Sequence, residues 1–225
     1  MPPLLRCLVL LYIVTCGTDP LLAEDPAPPA GMKLVYSHDF EDSSLARYQP
    51  TDQAAWKILE QNGNRSAALI KRNSDFKPKF RSPLNRTLIR DVQLGTFVMD
   101  IRLQSTIPDY GHRDLCLFFG CQDDEHLYYV HFGKQTDDHA NQIFIVNNEP
   151  RRKISVRTTS GTPWTDGWHR ARIERNAQSG EIKVWFDDLK TPVMTAVDTT
   201  FAQGRLGFGS FDDIGNFDDI QIYAP

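Results

Sequence analysis

Trp168-His-Arg-Ala-Arg-Ile-Glu-Arg175, Asn176-Ala-Gln-Ser-Gly180 and Glu181-Ile-Lys-Val-Trp-Phe-Asp187 read together as a strand, a turn and a returning strand. In the second strand Ile182, Val184 and Phe186 alternate with Glu181, Lys183 and Trp185. A period of two is the signature of a strand with one buried face. The same grammar extends outward in both directions. Alternating segments of strand length, broken by turn clusters, are predicted at 33–40, 55–60, 66–71, 94–104, 113–121, 126–133, 141–147, 152–156, 167–175, 181–187, 193–196, 204–210 and 216–223. No stretch carries a helical apolar stripe. An open sheet of about a dozen strands would splay, so the pattern predicts an all-β fold of two packed antiparallel sheets.

Composition agrees with that reading. The chain has 225 residues, 40% hydrophobic and 24% charged, the balance of a globular protein. This excludes a disordered, collagenous or multi-span membrane chain. The net charge of −4 argues against general nucleic-acid binding, which needs a basic field.

Residues 1–23 read as a secretory signal peptide. Arg6 precedes the apolar run Cys7–Thr15, which is shorter than the roughly 20 residues that span a membrane. Leu21-Leu22-Ala23 supplies a small residue at the cleavage point. The expected location is secreted or periplasmic. Lipoprotein anchoring through Cys16 is disfavoured by Thr15, which stands where a smaller residue is expected. Residues 24–32 form a Pro-rich linker, and the folded domain is expected over 33–225. Cys116 and Cys121 remain after cleavage. In one straight strand they would stand roughly 16 Å apart, beyond disulfide reach. Buried free thiols are therefore expected unless the strand turns near Gly120.

The order of motifs resembles a known superfamily. Phe40 begins an N-terminal strand, the hairpin 168–187 follows, and Gly204-Arg-Leu-Gly-Phe-Gly-Ser210 and Asn216-Phe-Asp-Asp-Ile-Gln-Ile222 end the chain. This is similar to the concanavalin A-like lectin/glucanase jelly roll. It comes nearest to laminin-G-like and 3-keto-disaccharide hydrolase-like domains of secreted bacterial proteins. The resemblance implies a two-sheet antiparallel jelly-roll sandwich whose concave face and rim loops hold a glycan. The superfamily includes lectins, glycosidases, lyases and adhesion modules, so the fold alone does not choose among activities.

The densest polar and aromatic stretch is 110–151. Alternation puts Leu115, Leu117 and Phe119 on one face and His112, Asp114, Cys116 and Phe118 on the other. Tyr128, Val130 and Phe132 likewise alternate with Tyr129 and His131. If the two strands are neighbours, His112, Asp114, Tyr129 and His131 share a face. With Arg113 they are the candidate catalytic groups, since Tyr or His as base and acid with Arg assistance suits β-elimination next to a uronate. Lys134, His139, Asn141 and Arg151 are the candidate substrate-binding residues at the rim. Trp164 joins them as a loop platform for a sugar ring, while Trp168 is expected in the core. The half-buried-structural reading of each His and Tyr stands beside the functional one.

No cofactor is required. Related jelly rolls often hold a structural Ca²⁺ between first and last strands, which implies Asp39, Glu41 and Asp218 here. The other reading of the acidic segment 211–220 is a solvated turn. The Glu-x-Asp-x-Glu strand of laminarinase-type enzymes is absent, as are Gly-x-Ser-x-Gly, His-Glu-x-x-His and a phosphate loop. The function expected first is a secreted carbohydrate-binding protein that takes a polysaccharide or oligosaccharide on the 110–151 face. The alternative is a polysaccharide lyase or 3-keto-glycoside hydrolase using the same face. A protein-adhesion module is the third reading.

Overall fold

A computed structural model describes residues 29–225. The expected signal peptide, 1–23, and residues 24–28 of the expected linker lie outside the described residues. The strands, in chain order, are β1 (Lys33–His38), β2 (Tyr48–Pro50), β3 (Trp56–Gln61), β4 (Asn64–Leu69), β5 (Asn85–Leu94), β6 (Phe97–Ser105), β7 (Cys116–Cys121), β8 (His126–His131), β9 (Gln142–Asn147), β10 (Arg152–Lys153), β11 (Ser155–Thr158), β12 (His169–Arg175), β13 (Glu181–Phe186), β14 (Met194–Val197), β15 (Gly204–Ser210) and β16 (Gly215–Ala224).

They form two antiparallel sheets, the expected jelly-roll sandwich. The larger has nine strands in the order β11-β14-β13-β12-β6-β16-β4-β3, with β1 also on β16. The smaller has seven, β10-β9-β8-β7-β15-β5-β2. The expected hairpin 168–187 is β12–β13, with Ala171 opposite Phe186 and Ile173 opposite Val184. These side chains, with Ile182, face inward and meet Leu117, Phe119, Tyr128, Val130, Ile143 and Ile145 of the smaller sheet. Removing that apolar surface from water is the main force holding the two layers together.

The smaller sheet is buried on its outer face as well. Leu88, Cys116, Phe118, Cys121, Leu127, Tyr129, Phe144 and Val146 form a second buried cluster there. Segment 70–84 covers it. Asn85 Nδ2 donates to the carbonyls of Lys71 and Arg72, each at 2.9 Å. Phe76 lies against the Arg86 guanidinium, Lys79 pairs with Glu125, and Arg81 accepts the Arg151 N–H. The cover thus crosses the sheet from β5 to the β7–β8 turn and the β9–β10 turn.

This cover explains where the alternation rule fails. In β5, residues 85–89 are buried on both faces, so no polar–apolar alternation marks them. Most of this strand therefore lies outside the expected segments, the nearest of which begins at 94. The expected strand at 152–156 is two short strands, β10 in one sheet and β11 in the other.

Gly120 adopts φ +59° in β7. Opposite it, Arg205 pairs with Cys121 and Gly207 with Phe118, so the ladder is bulged. The bulge reverses the side-chain parity and puts Cys116 and Cys121 on the same outer face. Both thiols are buried and free.

Candidate functional site

Strands β7 and β8 are neighbours, with Cys116 opposite His131 and Phe118 opposite Tyr129. Tyr128 and Val130 point inward, while Tyr129 belongs to the outer cluster. Asp114, just before β7, brings Oδ1 to 3.7 Å from His131 Nε2. Asp114, Tyr129 and His131 therefore do converge. They converge under the cover rather than on an open concave face.

Asp114 is 1% exposed and organises the turn after β15. Its Oδ1 accepts from Ser210 Oγ at 2.9 Å and from the Phe211 N–H at 3.1 Å. Asp213 Oδ2 accepts the Asp114 N–H at 2.9 Å, and its Oδ1 accepts the Tyr110 hydroxyl at 2.7 Å. Burial pushes the Asp114 carboxyl up to about 7, and burial with the neighbouring Asp114 pushes Asp213 up to about 6. His131 Nδ1 accepts the Asn141 N–H at 3.3 Å, so the neutral ring carries its proton on Nε2, toward Asp114. Burial, then the Arg151 charge, holds its pKa down at about 3.

Arg151 closes the group. Its guanidinium carbon lies 4.9 Å from the Phe144 ring centroid and 4.3 Å from that of Phe211. Its Nη1 donates to the Tyr129 hydroxyl at 3.0 Å. Burial raises the Tyr129 pKa, so the hydroxyl stays protonated near neutrality.

Other expected site residues take different positions. His112 stands exposed in the turn before Asp114. Arg113 turns away from this cluster and is buried. It donates to the Ser105 hydroxyl at 3.0 Å and to the carbonyls of Ser105 and Thr165. Asn141 is buried with φ +54°, and its amide binds Thr136 Oγ1, Thr158 Oγ1 and the Thr159 carbonyl. Lys134 pairs with Asp109, and His139 lies on an exposed loop.

The two tryptophans exchange their expected places. Trp164 is in the core against Phe186 and His169 and donates Nε1–H to the Phe132 carbonyl at 2.8 Å, so it offers no face to a sugar. Trp168 is half-buried, with the Arg102 guanidinium 5.1 Å from its ring centroid. Only loop geometry distinguishes the two, and residue type and spacing do not encode it.

Two groups of side chains could contribute ligands to a metal. Asp114, Cys116 and His131 bring ligand atoms within 4.8 Å of one another, and Asp114, Asp212 and Asp213 do the same. In the first, burial pushes the Cys116 thiol well up and His131 turns its proton toward Asp114, so these groups hold protons that a metal would have to displace. The residues expected for Ca²⁺ are each engaged by protein donors. Asp39 accepts from the Glu41 N–H, Glu41 from the Arg65 N–H at 2.7 Å, and Asp218 from Asn64 Nδ2 at 2.8 Å. They are not one of the converging groups found among the described residues.

No protein-family model matches the chain, and no significant match is found among curated proteins. Solved structures do match. Carbohydrate-binding module CBM66 of Bacillus subtilis superposes with a TM-score of 0.57 at 13% identity, covering 79% of this chain and 96% of that one. Domain 4 of AbnA, a GH43 extracellular arabinanase from Geobacillus stearothermophilus in complex with arabinotriose, gives 0.57 at 13% identity, covering 85% and 92%. The metal-free lectin I-B4 of Griffonia simplicifolia gives 0.54 at 13% identity, covering 84% and 100%. At such identities the likeness concerns architecture: the chain has the jelly-roll sandwich fold seen in a carbohydrate-binding module, an arabinanase domain and a legume lectin.

Proposed function

We propose that the protein binds carbohydrate without cleaving it, through the polar rim of the 110–151 region. The reading is supported by the fold it shares with a carbohydrate-binding module, a lectin and a domain solved with arabinotriose. His112, Lys134, His139 and Arg151 supply the planar and charged groups that sugar hydroxyls need.

The observation that favours binding over cleavage is the state of the two carboxylates. A retaining glycosidase needs two carboxyl groups about 5 Å apart and open to the sugar. Asp114 and Asp213 are 1% and 0% exposed, and both hold the backbone of the turn in place. His131 and Tyr129 lie equally deep, at 4% and 0%. With their polar atoms engaged by Ser210, Phe211, Tyr110, Asn141 and Arg151, these groups shape the rim.

A glycan panel with the full chain tests the reading, following both binding and product release. Binding without product is expected. His112→Ala should weaken it by about tenfold, roughly 1.4 kcal/mol, with thermal melting unchanged. Release of product, including unsaturated sugars absorbing in the ultraviolet, would overturn the binding-only reading. Silence toward every glycan would overturn the carbohydrate reading itself.

A further inference from the structure

A second polar recess lies at the other end of the covered face, away from the Asp114–His131 cluster. It is a cavity of about 220 Å³ lined by Gln49, Thr51, Phe76, Arg86, Asp124 and Arg205, among others. Arg86 is 1% exposed. One of its Nη atoms pairs with Asp124, while Nε and Nη1 have no hydrogen-bond partner. Unpaired donors on a buried guanidinium are costly, and native proteins seldom leave them so. The cover puts Phe76 over the guanidinium, and Arg205, on the same wall, pairs with Cys121 at the bulge.

The wall has the chemistry of an anion-binding sugar subsite. Arg86 and Arg205 face a single carboxylate, Asp124, so the lining keeps one net positive charge. Arg205 Nη1 is steadied by Gln49 Oε1 at 2.6 Å, which leaves its other donors available. Phe76 supplies an apolar plane, and Gln49 and Thr51 supply polar edges. Guanidinium donors suit carboxylate and sulfate oxygens, and an aromatic plane suits the face of a sugar ring. Among pockets of the usual size for organic ligands this one is small, which favours a single sugar unit over an extended chain.

We propose that this recess binds the anionic substituent of an acidic sugar, a uronate carboxylate or a sugar sulfate, with Arg86 and Arg205 as its ligands. The inference rests on the carbohydrate reading and adds the substrate class.

The test is titration of the full chain with glucuronate, galacturonate, glucose, galactose and inorganic sulfate, read by amide NMR shifts and by affinity. The uronates are expected to bind at least about tenfold tighter than the neutral sugars. They should move the amides of Gln49, Thr51, Phe76 and Arg86. Arg205→Gln should lose that tenfold preference with thermal melting unchanged. Arg86→Lys, which keeps the charge but not the planar fork, should lose most of it. If Arg86→Lys fails to fold, the half-buried Arg205 still decides. Equal affinity for acidic and neutral sugars, with shifts confined to 110–151, overturns this inference and leaves the carbohydrate reading standing. Sulfate matching the uronates in affinity and shift pattern overturns it in favour of a free-anion site. Silence toward every sugar overturns the parent reading.

Discussion

Asp114 and His131 face each other at 3.7 Å, beyond hydrogen-bond length, and burial drives both toward their uncharged forms. A carboxylate beside an imidazole is usually read as an ion pair. Here desolvation outweighs the mutual attraction, because neither group keeps enough water to hold its charge. Asp114 spends its oxygen on Ser210 and Phe211, and His131 spends Nδ1 on Asn141.

That state makes a pH prediction with opposing signs. The Asp114 carboxyl rises from 3.8 to about 7 on folding. Between those values the folded state binds more protons than the unfolded one, so its contribution to stability falls as pH rises. The His131 pKa falls from 6.5 to about 3, so its contribution rises with pH between those values and is fully present above 6.5. The two oppose each other from about pH 4 to 6.5. Asp114→Asn removes the falling part. Urea denaturation at pH 4, 5.5 and 7 should show the variant gaining stability relative to the parent as pH rises. Parallel pH profiles would mean the Asp114 carboxyl titrates normally.

A second prediction concerns the bulge in β7. Gly120 sits at φ +59°, and a Cβ there would stand 2.9 Å from the Tyr128 ring. Gly120→Ala therefore adds backbone strain and crowds a ring that stacks on Phe119. A loss of roughly 1–3 kcal/mol is expected, seen as a lower urea midpoint with an unchanged slope. An unperturbed midpoint would show that the strand can flatten. Flattening would return Cys116 and Cys121 to opposite faces.

Much of the architecture was legible because a sandwich writes its inner faces as period-two alternation. Ile182, Val184 and Phe186 declared their side, and so did Tyr128, Val130 and Phe132. The parity that set Tyr129 and His131 apart from them also appeared in the alternation. What the alternation could not show was the cover. Nothing in Lys71-Arg-Asn-Ser-Asp-Phe-Lys-Pro-Lys79 announces that it lies across a sheet, because its contacts are made with residues distant in sequence, through backbone carbonyls and through side chains such as Phe76 and Lys79. With the cover unseen, the 110–151 face read as an open groove, and β5, buried on both sides, read as irregular chain. Arg86 escaped notice for the same reason. An Arg in a polar-looking stretch gives no sign in sequence that its side chain is buried.

The last prediction tests the cover through Asn85. Its side-chain amide holds the carbonyls of Lys71 and Arg72, and the residue is fully buried. Asn85-Arg-Thr87 is also a glycosylation sequon, but a fully buried amide in the folded chain has no room for a glycan. Asn85→Ala leaves two carbonyls without their donor, at a cost of about 2–3 kcal/mol. The loss should fall first on the cover and only then on the sandwich, whose inner core does not depend on it. Burial pushes the Cys121 thiol up to about 12 and Cys116 well above its ordinary value, so neither should react with a thiol reagent in the native parent. In the Asn85→Ala variant both should label in dilute urea, below the unfolding transition, with the labelled peptides assigned by mass spectrometry. Labelling that waits for global unfolding would mean the cover and the sandwich open as one unit, and the outer face would then belong to the core of the fold.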